Sequence, residues 1–262
     1  MSTERDTALV TGASSGIGTE FARVLAARGC DLILVARRAA KLEELAASLK
    51  AAHSITVTVI AHDLSQAHAA DMLWEKITSG GHRVDILVNN AGVGLSGDFA
   101  ESDPKATEAM IDLDVTVLTL LCRKALPDML KRRHGRILNV ASLTGYQGGG
   151  PGMAVYYAAK AYALSFTSGL AAELRGTGVT ATALCPGPTR TEWDSVARAS
   201  NLRMFRWLPP AEARSVAESG IDAMFAGRAT HVPGFVNKIL AFLGQLPPRR
   251  ISVEVNRFLL RP

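Results

Sequence analysis

Tyr156 and Lys160 stand four residues apart in a stretch, 155–175, whose apolar spacing predicts a helix, so both side chains project from one face. A phenol with its ordinary pKa of about 10 is a poor proton carrier at neutral pH. An ammonium held beside it favours the phenolate and brings the group toward a working acid–base range. Taken singly, Tyr156 also fits a half-buried helix aromatic, and neighbouring Tyr157 reads as packing.

A second chemistry is written into Thr11-Gly12-Ala13-Ser14-Ser15-Gly16-Ile17-Gly18. The spacing is GxxxGxG, yet the physical logic is that of a dinucleotide loop. Gly12 permits a tight exit from a strand, Gly16 lets backbone approach a pyrophosphate, and Gly18 lets the following helix pack closely. The helix N-terminus then offers free N–H groups to the anion. A second strand ends at Ala36, where an acidic residue would bond a ribose 2′-hydroxyl, and Arg37 and Arg38 follow instead. Guanidinium forks suit a 2′-phosphate. Asp63, before Leu64 at the end of a third strand, suits either an adenine contact or an N-cap for the next helix.

These groups need a frame that repeats strand and helix. Strands are predicted at 7–11, 31–36, 56–61, 86–89, 136–140 and 180–184. Helices are predicted at 16–28, 39–52, 67–79 and 155–175, with one long helix over 104–132. The run DLILVA at 31–36 is apolar almost throughout, as a strand covered on both faces must be. Regular β–α alternation with short connections implies a parallel sheet wrapped by helices. Beyond Pro186 the pattern loosens into irregular helices and, after residue 233, a strand end with basic helical turns.

The motifs TGASSGIG at 11–18, NNAG at 89–92, Ser142, YxxxK at Tyr156–Lys160 and PGPTRT at 186–191 occur in an order that resembles the short-chain dehydrogenases/reductases. The resemblance covers residues 7 to 191. It implies one domain with a Rossmann-like three-layer α/β/α fold and a seven-stranded parallel sheet. Residues 1–185 would form the dinucleotide-binding core with the catalytic helix, and 186–262 a substrate lid and basic tail. It implies NADP(H)-dependent interconversion of a carbonyl and an alcohol by a Ser142-Tyr156-Lys160 core. Ser142 would bond the substrate oxygen, and Lys160 the cofactor ribose. The cofactor would also meet Gly12, Ser14, Ser15, Gly16, Ile17 and Gly18, then Arg37, Arg38, Asp63 and Leu64. Asn90, with Ala91 and Gly92, would lie at its ribose. Pro186, Gly187, Thr189 and Thr191 would lie toward its carboxamide. A homodimer or homotetramer is the expected assembly.

Two features depart from the family pattern. Asp114 stands where an Asn usually holds a water of a proton relay, and it brings a buried charge near Lys160. Ser142 and Tyr156 are 14 residues apart, one more than the pattern, and the glycine-rich 148–152 absorbs the extra residue at the risk of loosening a wall of the substrate site.

Composition narrows the rest. At 48% apolar and 20% charged, 262 residues bury a core without metals or disulfides. The three cysteines, Cys30, Cys122 and Cys185, form no CxxC pair and fit a reducing cytosol, so a cytoplasmic protein is expected. The net charge is +5, but residues 196–262 hold ten Lys/Arg against four Asp/Glu, which argues against a general nucleic-acid footprint. Trp193, Met204, Phe205, Trp207 and Leu208 suggest a lid over an apolar carbonyl compound, with core or subunit packing as the competing reading. Phe235, Ile239, Phe242 and Phe258 beside Pro247-Pro248-Arg249-Arg250 resemble an interfacial membrane segment; a packed helical lid or oligomer contact fits as well. Two rivals follow: a lipid or 3-ketoacyl reductase at a membrane surface, and a cofactor-sensing binding protein with weak turnover.

Overall fold

The structure is a computed structural model that describes residues 5–192, 210–246 and 248–260. Seven strands form one parallel sheet in the order β3-β2-β1-β4-β5-β6-β9. They are β1 (Thr7–Thr11), β2 (Asp31–Ala36), β3 (Val57–Ala61), β4 (Ile86–Asn89), β5 (Gly135–Val140), β6 (Val179–Leu184) and β9 (Thr230–His231). Two further short strands, β7 (Thr189–Arg190) and β8 (Ala211–Glu212), pair apart from it.

Side-chain alternation builds a core on each face of this sheet. Ala8, Val10, Leu32, Leu34, Ile86 and Val88 face one way, against Phe21 and Leu25 of α1 (Gly16–Ala27), Leu42 of α2 (Ala39–Ala52) and Ile221 of α7 (Ala213–Phe225). Leu9, Ile33, Val35 and Leu87 face the other way, against Leu73 and Ile77 of α3 (Ala69–Ser79), Leu121 of α5 (Leu118–Arg132) and Leu170 of α6 (Ala154–Glu173). Every one of these strand residues is sealed from water, and each such Leu, Ile or Val contributes about 1.5–3 kcal/mol. The result is the three-layer Rossmann-like fold. The chain order reverses between the neighbours β1 and β4, and the crevice outside their C-terminal ends is where such sheets take ligands.

Three sequence expectations change. The single helix over 104–132 is α4 (Pro104–Ile111), a π-helical turn (Asp112–Val117) and α5 in unbroken succession. Helix α3 begins two residues late because His68, at φ 58°, turns the chain just before it. Asp63 therefore caps no helix; its carboxylate accepts from the Ser65 N–H (3.0 Å) and hydroxyl (2.7 Å), closing a local turn at the end of β3. The tail carries two helices, α8 (Phe235–Leu243) and α9 (Arg249–Leu259). The lid residues Trp193, Met204, Phe205, Trp207 and Leu208 lie outside the described residues.

Candidate active site

The glycine turn sits at the reversal point. Gly12 and Gly16 have φ +67° and +55°, which residues with a Cβ rarely adopt. A Cβ on Gly18 would lie 2.2 Å from the Gly12 carbonyl oxygen, so Gly18 serves the close approach of α1 to the loop itself. Among the described residues no side chain caps α1, and its first turn carries no acidic residue, an arrangement that suits an anion at the helix N-terminus. The Asn90 amide donates to the Thr11 carbonyl (2.9 Å) and Gly12 carbonyl (3.3 Å), and the Thr11 hydroxyl accepts from the Asn90 and Ala91 N–H groups (both 3.0 Å). The loops after β1 and β4 are thereby pinned together, with Gly92 next in line.

Arg38 turns back over this loop, donating to the Ser14 hydroxyl and carbonyl (both 3.2 Å) and to Glu192 (2.7 Å). Lys41 also pairs with Glu192 (3.0 Å), and these two cations hold the Glu192 carboxyl below its ordinary range. Arg37 is exposed nearby and adds its field to Asp63. Burial works to raise the Asp63 pKa, but its bonds from Ser65 and Gln66 prevail and lower it. Leu64 is buried in the core beside it. The 186–191 segment closes the other side: Pro186 accepts from the Leu143 N–H (2.8 Å), Thr189 donates to the Gly187 carbonyl (3.0 Å), and the Thr191 methyl stands against Gly16. Glu192 and Lys41 escaped sequence reasoning because nothing in their local pattern marks them.

A catalytic-type cluster lies beyond β5. Lys160 and Tyr156 share the inner face of α6 and are both buried, with Lys160 Nζ 5.7 Å from the centre of the Tyr156 ring. Lys160 donates to the Val140 carbonyl at the end of β5 (3.2 Å) and to Asp114 Oδ1 (3.4 Å). The π-helical turn carries Asp114 inward, and such turns are frequent at functional sites. Gly92 leaves room for this meeting: a Cβ there would lie 2.5 Å from Asp114 Oδ1 and 3.2 Å from Lys160 Nζ. Burial raises the Asp114 pKa, against the opposing pull of Lys160 and a bond from the Val93 N–H. Its Oδ2 is buried with no hydrogen-bond partner.

Ser142 is buried just past β5, where its hydroxyl oxygen accepts from the Thr144 N–H (3.2 Å) and caps the 3-10 turn Leu143–Tyr146. Gly145 in that turn packs on the Lys160 carbonyl, closer than a Cβ would permit. Beneath the cluster runs a buried chain that sequence reasoning missed: Asn89 donates to Asn139 (2.9 Å), and Asn139 to Thr167 (2.9 Å), joining β4 and β5 to α6. Around Tyr156 lie Val93, Leu95, Met110, Met153 and Leu260, an apolar border. Tyr157 packs in the same cluster, and burial pushes its pKa up. Burial likewise raises the Cys185 thiol to about 12, so it is no nucleophile at neutral pH.

The chain as a whole has similar known proteins. The family model for short chain dehydrogenases matches residues 6–201. The chain is 39% identical over 262 residues to the oxidoreductase UcpA of Salmonella typhimurium, covering 95% of this chain and 97% of that protein. A short-chain dehydrogenase of Sphingobium yanoikuyae in complex with NADPH superimposes with a TM-score of 0.80 at 31% identity, over 91% of this chain and 92% of that one. The bulky-bulky ketone specific alcohol dehydrogenase of Comamonas testosteroni superimposes at 0.77 with 29% identity, over 93% and 92%. Sequence and fold agree: the chain is an oxidoreductase that belongs to the short-chain dehydrogenase/reductase family.

Proposed function

We propose that the protein interconverts an apolar ketone or aldehyde and its alcohol with NADP(H), using Ser142, Tyr156 and Lys160 as its reacting core. The observation that carries this reading is the buried Lys160 ammonium beside the Tyr156 ring, fixed by Val140 and Asp114. The glycine cradle, the uncapped α1 N-terminus and the Arg38–Lys41 pair fit a pyrophosphate and a 2′-phosphate. A bound nicotinamide cofactor supplies or accepts the hydride. The chain's own residues handle the proton. The Ser142 hydroxyl donates to the substrate oxygen and stabilises its developing charge. The Tyr156 hydroxyl gives its proton to that oxygen in reduction and takes it back in oxidation. Lys160 stabilises the phenolate, and Asp114 accepts from Lys160 and fixes the ammonium. The apolar border of Val93, Leu95, Met110 and Met153 excludes water and favours apolar substituents.

The relative solved in complex with NADPH supports the cofactor choice. Family members commonly form oligomers, which supports a homodimer or homotetramer, and a cytoplasmic location is proposed with it. Among the described residues no helix is long and apolar enough to cross a membrane. A second reading, a reductase resting on an anionic membrane surface, draws on the exposed Ile251, Val255 and Phe258 of α9 beside Arg250 and Arg257. Co-sedimentation with anionic but not neutral vesicles would support it.

NADPH oxidation with a panel of ketones and aldehydes tests the main reading, with Tyr156→Phe as control. The variant is expected to lose about 10²–10⁴-fold in turnover and to keep NADPH binding. Retention of more than about a tenth of the activity removes Tyr156 as the acid.

A further inference from the structure

We infer that α9 positions the substrate side of the site, acting through Ser252 and Asn256 on the Gly148–Gly150 segment. The inference rests on Ser142 and Tyr156 being the reacting pair proposed above. Helix α9 has two unlike faces. Ile251, Val255 and Phe258 are exposed, whereas the polar Ser252 and Asn256, one turn apart, are buried. Both are satisfied by the backbone of one distant loop. The Ser252 hydroxyl oxygen accepts from the Gly148 N–H (2.9 Å), and the Asn256 amide donates to the Gly149 carbonyl (2.6 Å), across 104 and 107 residues of chain.

The three glycines are what this clamp requires. A Cβ on Gly148 would lie 3.0 Å from the Arg249 carbonyl oxygen, Gly149 has φ +147°, and a Cβ on Gly150 would lie 2.4 Å from the Tyr157 ring. The segment is therefore pressed between α9 and the helix that carries Tyr156. It belongs to the stretch joining Ser142 to Tyr156, and two residues on, the Gly152 carbonyl accepts from the Gly97 N–H of the loop after β4 (2.9 Å). Leu260, just past α9, packs with Met153, Tyr156 and Tyr157. Helix α9 thus holds both the wall facing the substrate and the back of the reacting tyrosine. The glycine-rich stretch is clamped where the sequence suggested looseness.

Ser252→Ala and Asn256→Ala each remove one bond while preserving the apolar packing of Leu260. Hydrogen exchange is expected to rise for amides of residues 147–153 and to stay unchanged for the phosphate loop at 12–18. The KM for a carbonyl substrate is expected to rise about tenfold, as for one buried hydrogen bond, with kcat altered less and the NADPH Kd unchanged. Unchanged exchange at 147–153 overturns the inference, as does an equal rise in both loops. Raised exchange with an unaltered KM overturns it too. Exchange is read without turnover, so a wild type that reduces no carbonyl compound defeats the proposed function and leaves the clamp separately testable. Ser252→Ala, the smaller change, serves if Asn256→Ala does not fold.

Discussion

A buried carboxylate 3.4 Å from a buried ammonium is subject to two opposing forces. Burial raises the Asp114 pKa and Lys160 lowers it, and burial prevails. The unfolded chain releases this proton near 3.8, and the folded chain releases it at higher pH. The contribution to stability is therefore fully present below 3.8 and is lost as pH rises through the folded value. Asp114→Asn has no proton to release, so its melting temperature is expected to gain on wild type as pH rises above about 4. A gap that closes with rising pH in thermal melts contradicts this. Under the proposed mechanism, activity is expected to persist in the variant, because the amide still offers Lys160 an acceptor. At the cofactor end, Glu192 pairs with Arg38 and Lys41, so under the proposed NADP(H) reading it would compete with the 2′-phosphate for both cations. Glu192→Gln is expected to tighten NADPH several-fold with little effect on NADH, and Arg38→Ala to weaken NADPH roughly tenfold. Fluorescence titration of both cofactors checks the pair; parallel changes for NADH and NADPH count against a 2′-phosphate site.

At the scale of elements, the π-helical turn decides whether Asp114 meets Lys160. A regular helix through Asp112–Val117 would rotate the residues after it by a fraction of a turn, and α5 would present a different face to the sheet. Helices α5 and α6 also leave an outward surface in which Leu120, Leu130 and Tyr162 are exposed, Tyr162 stacks on Phe166 with ring centres 5.8 Å apart, and Tyr162 bonds Thr119 (2.9 Å). Aromatic stacking on an exposed helix pair suits a self-complementary two-fold contact. Light scattering at micromolar concentration is expected to give a dimer or tetramer, and Tyr162→Arg to shift it toward monomer. A monomeric wild type refutes this assembly.

At the scale of the molecule, chemistry and stability occupy opposite ends of the sheet. The site lies at the C-terminal ends of β1, β4 and β5. At the other end Asp85, fully buried, accepts from the Thr7 N–H (2.9 Å), from Arg83 (3.0 Å) and from Arg132 (2.6 Å), tying β1, β4 and α5. Both arginines reach water, so Asp85→Ala leaves them solvated and strands mainly the Thr7 N–H. The expected cost is about 2–3 kcal/mol in denaturant unfolding, with NADPH affinity unchanged. A loss of cofactor affinity would mean that the two ends are coupled.

Local patterns were enough to place the first six strands, the glycine turn and the Tyr156–Lys160 face, because alternation, φ-permissive glycine and i, i+4 spacing are properties of short segments. They did not place the short strands at 189–190, 211–212 and 230–231, because two-residue strands carry no such pattern. The same patterns fixed the parallel sheet, since short β–α connections allow no other layering. Tertiary structure alone decided the rest. The family resemblance placed Asp114 near Lys160, but the direct contact across 46 residues, made from a π-helical turn and in the space left by Gly92, is seen only in the fold, because the π-helical turn has no sequence signature of its own. Asp63 reads equally as a cap or a contact until His68 turns the chain and moves the start of α3 away from it. The glycines at 148–150 read as slack in the sequence, and they became a seat for α9 because close approach, like flexibility, selects residues without a Cβ. What a segment can do is set by its own residues; what it faces is set by the packing of segments a hundred residues away.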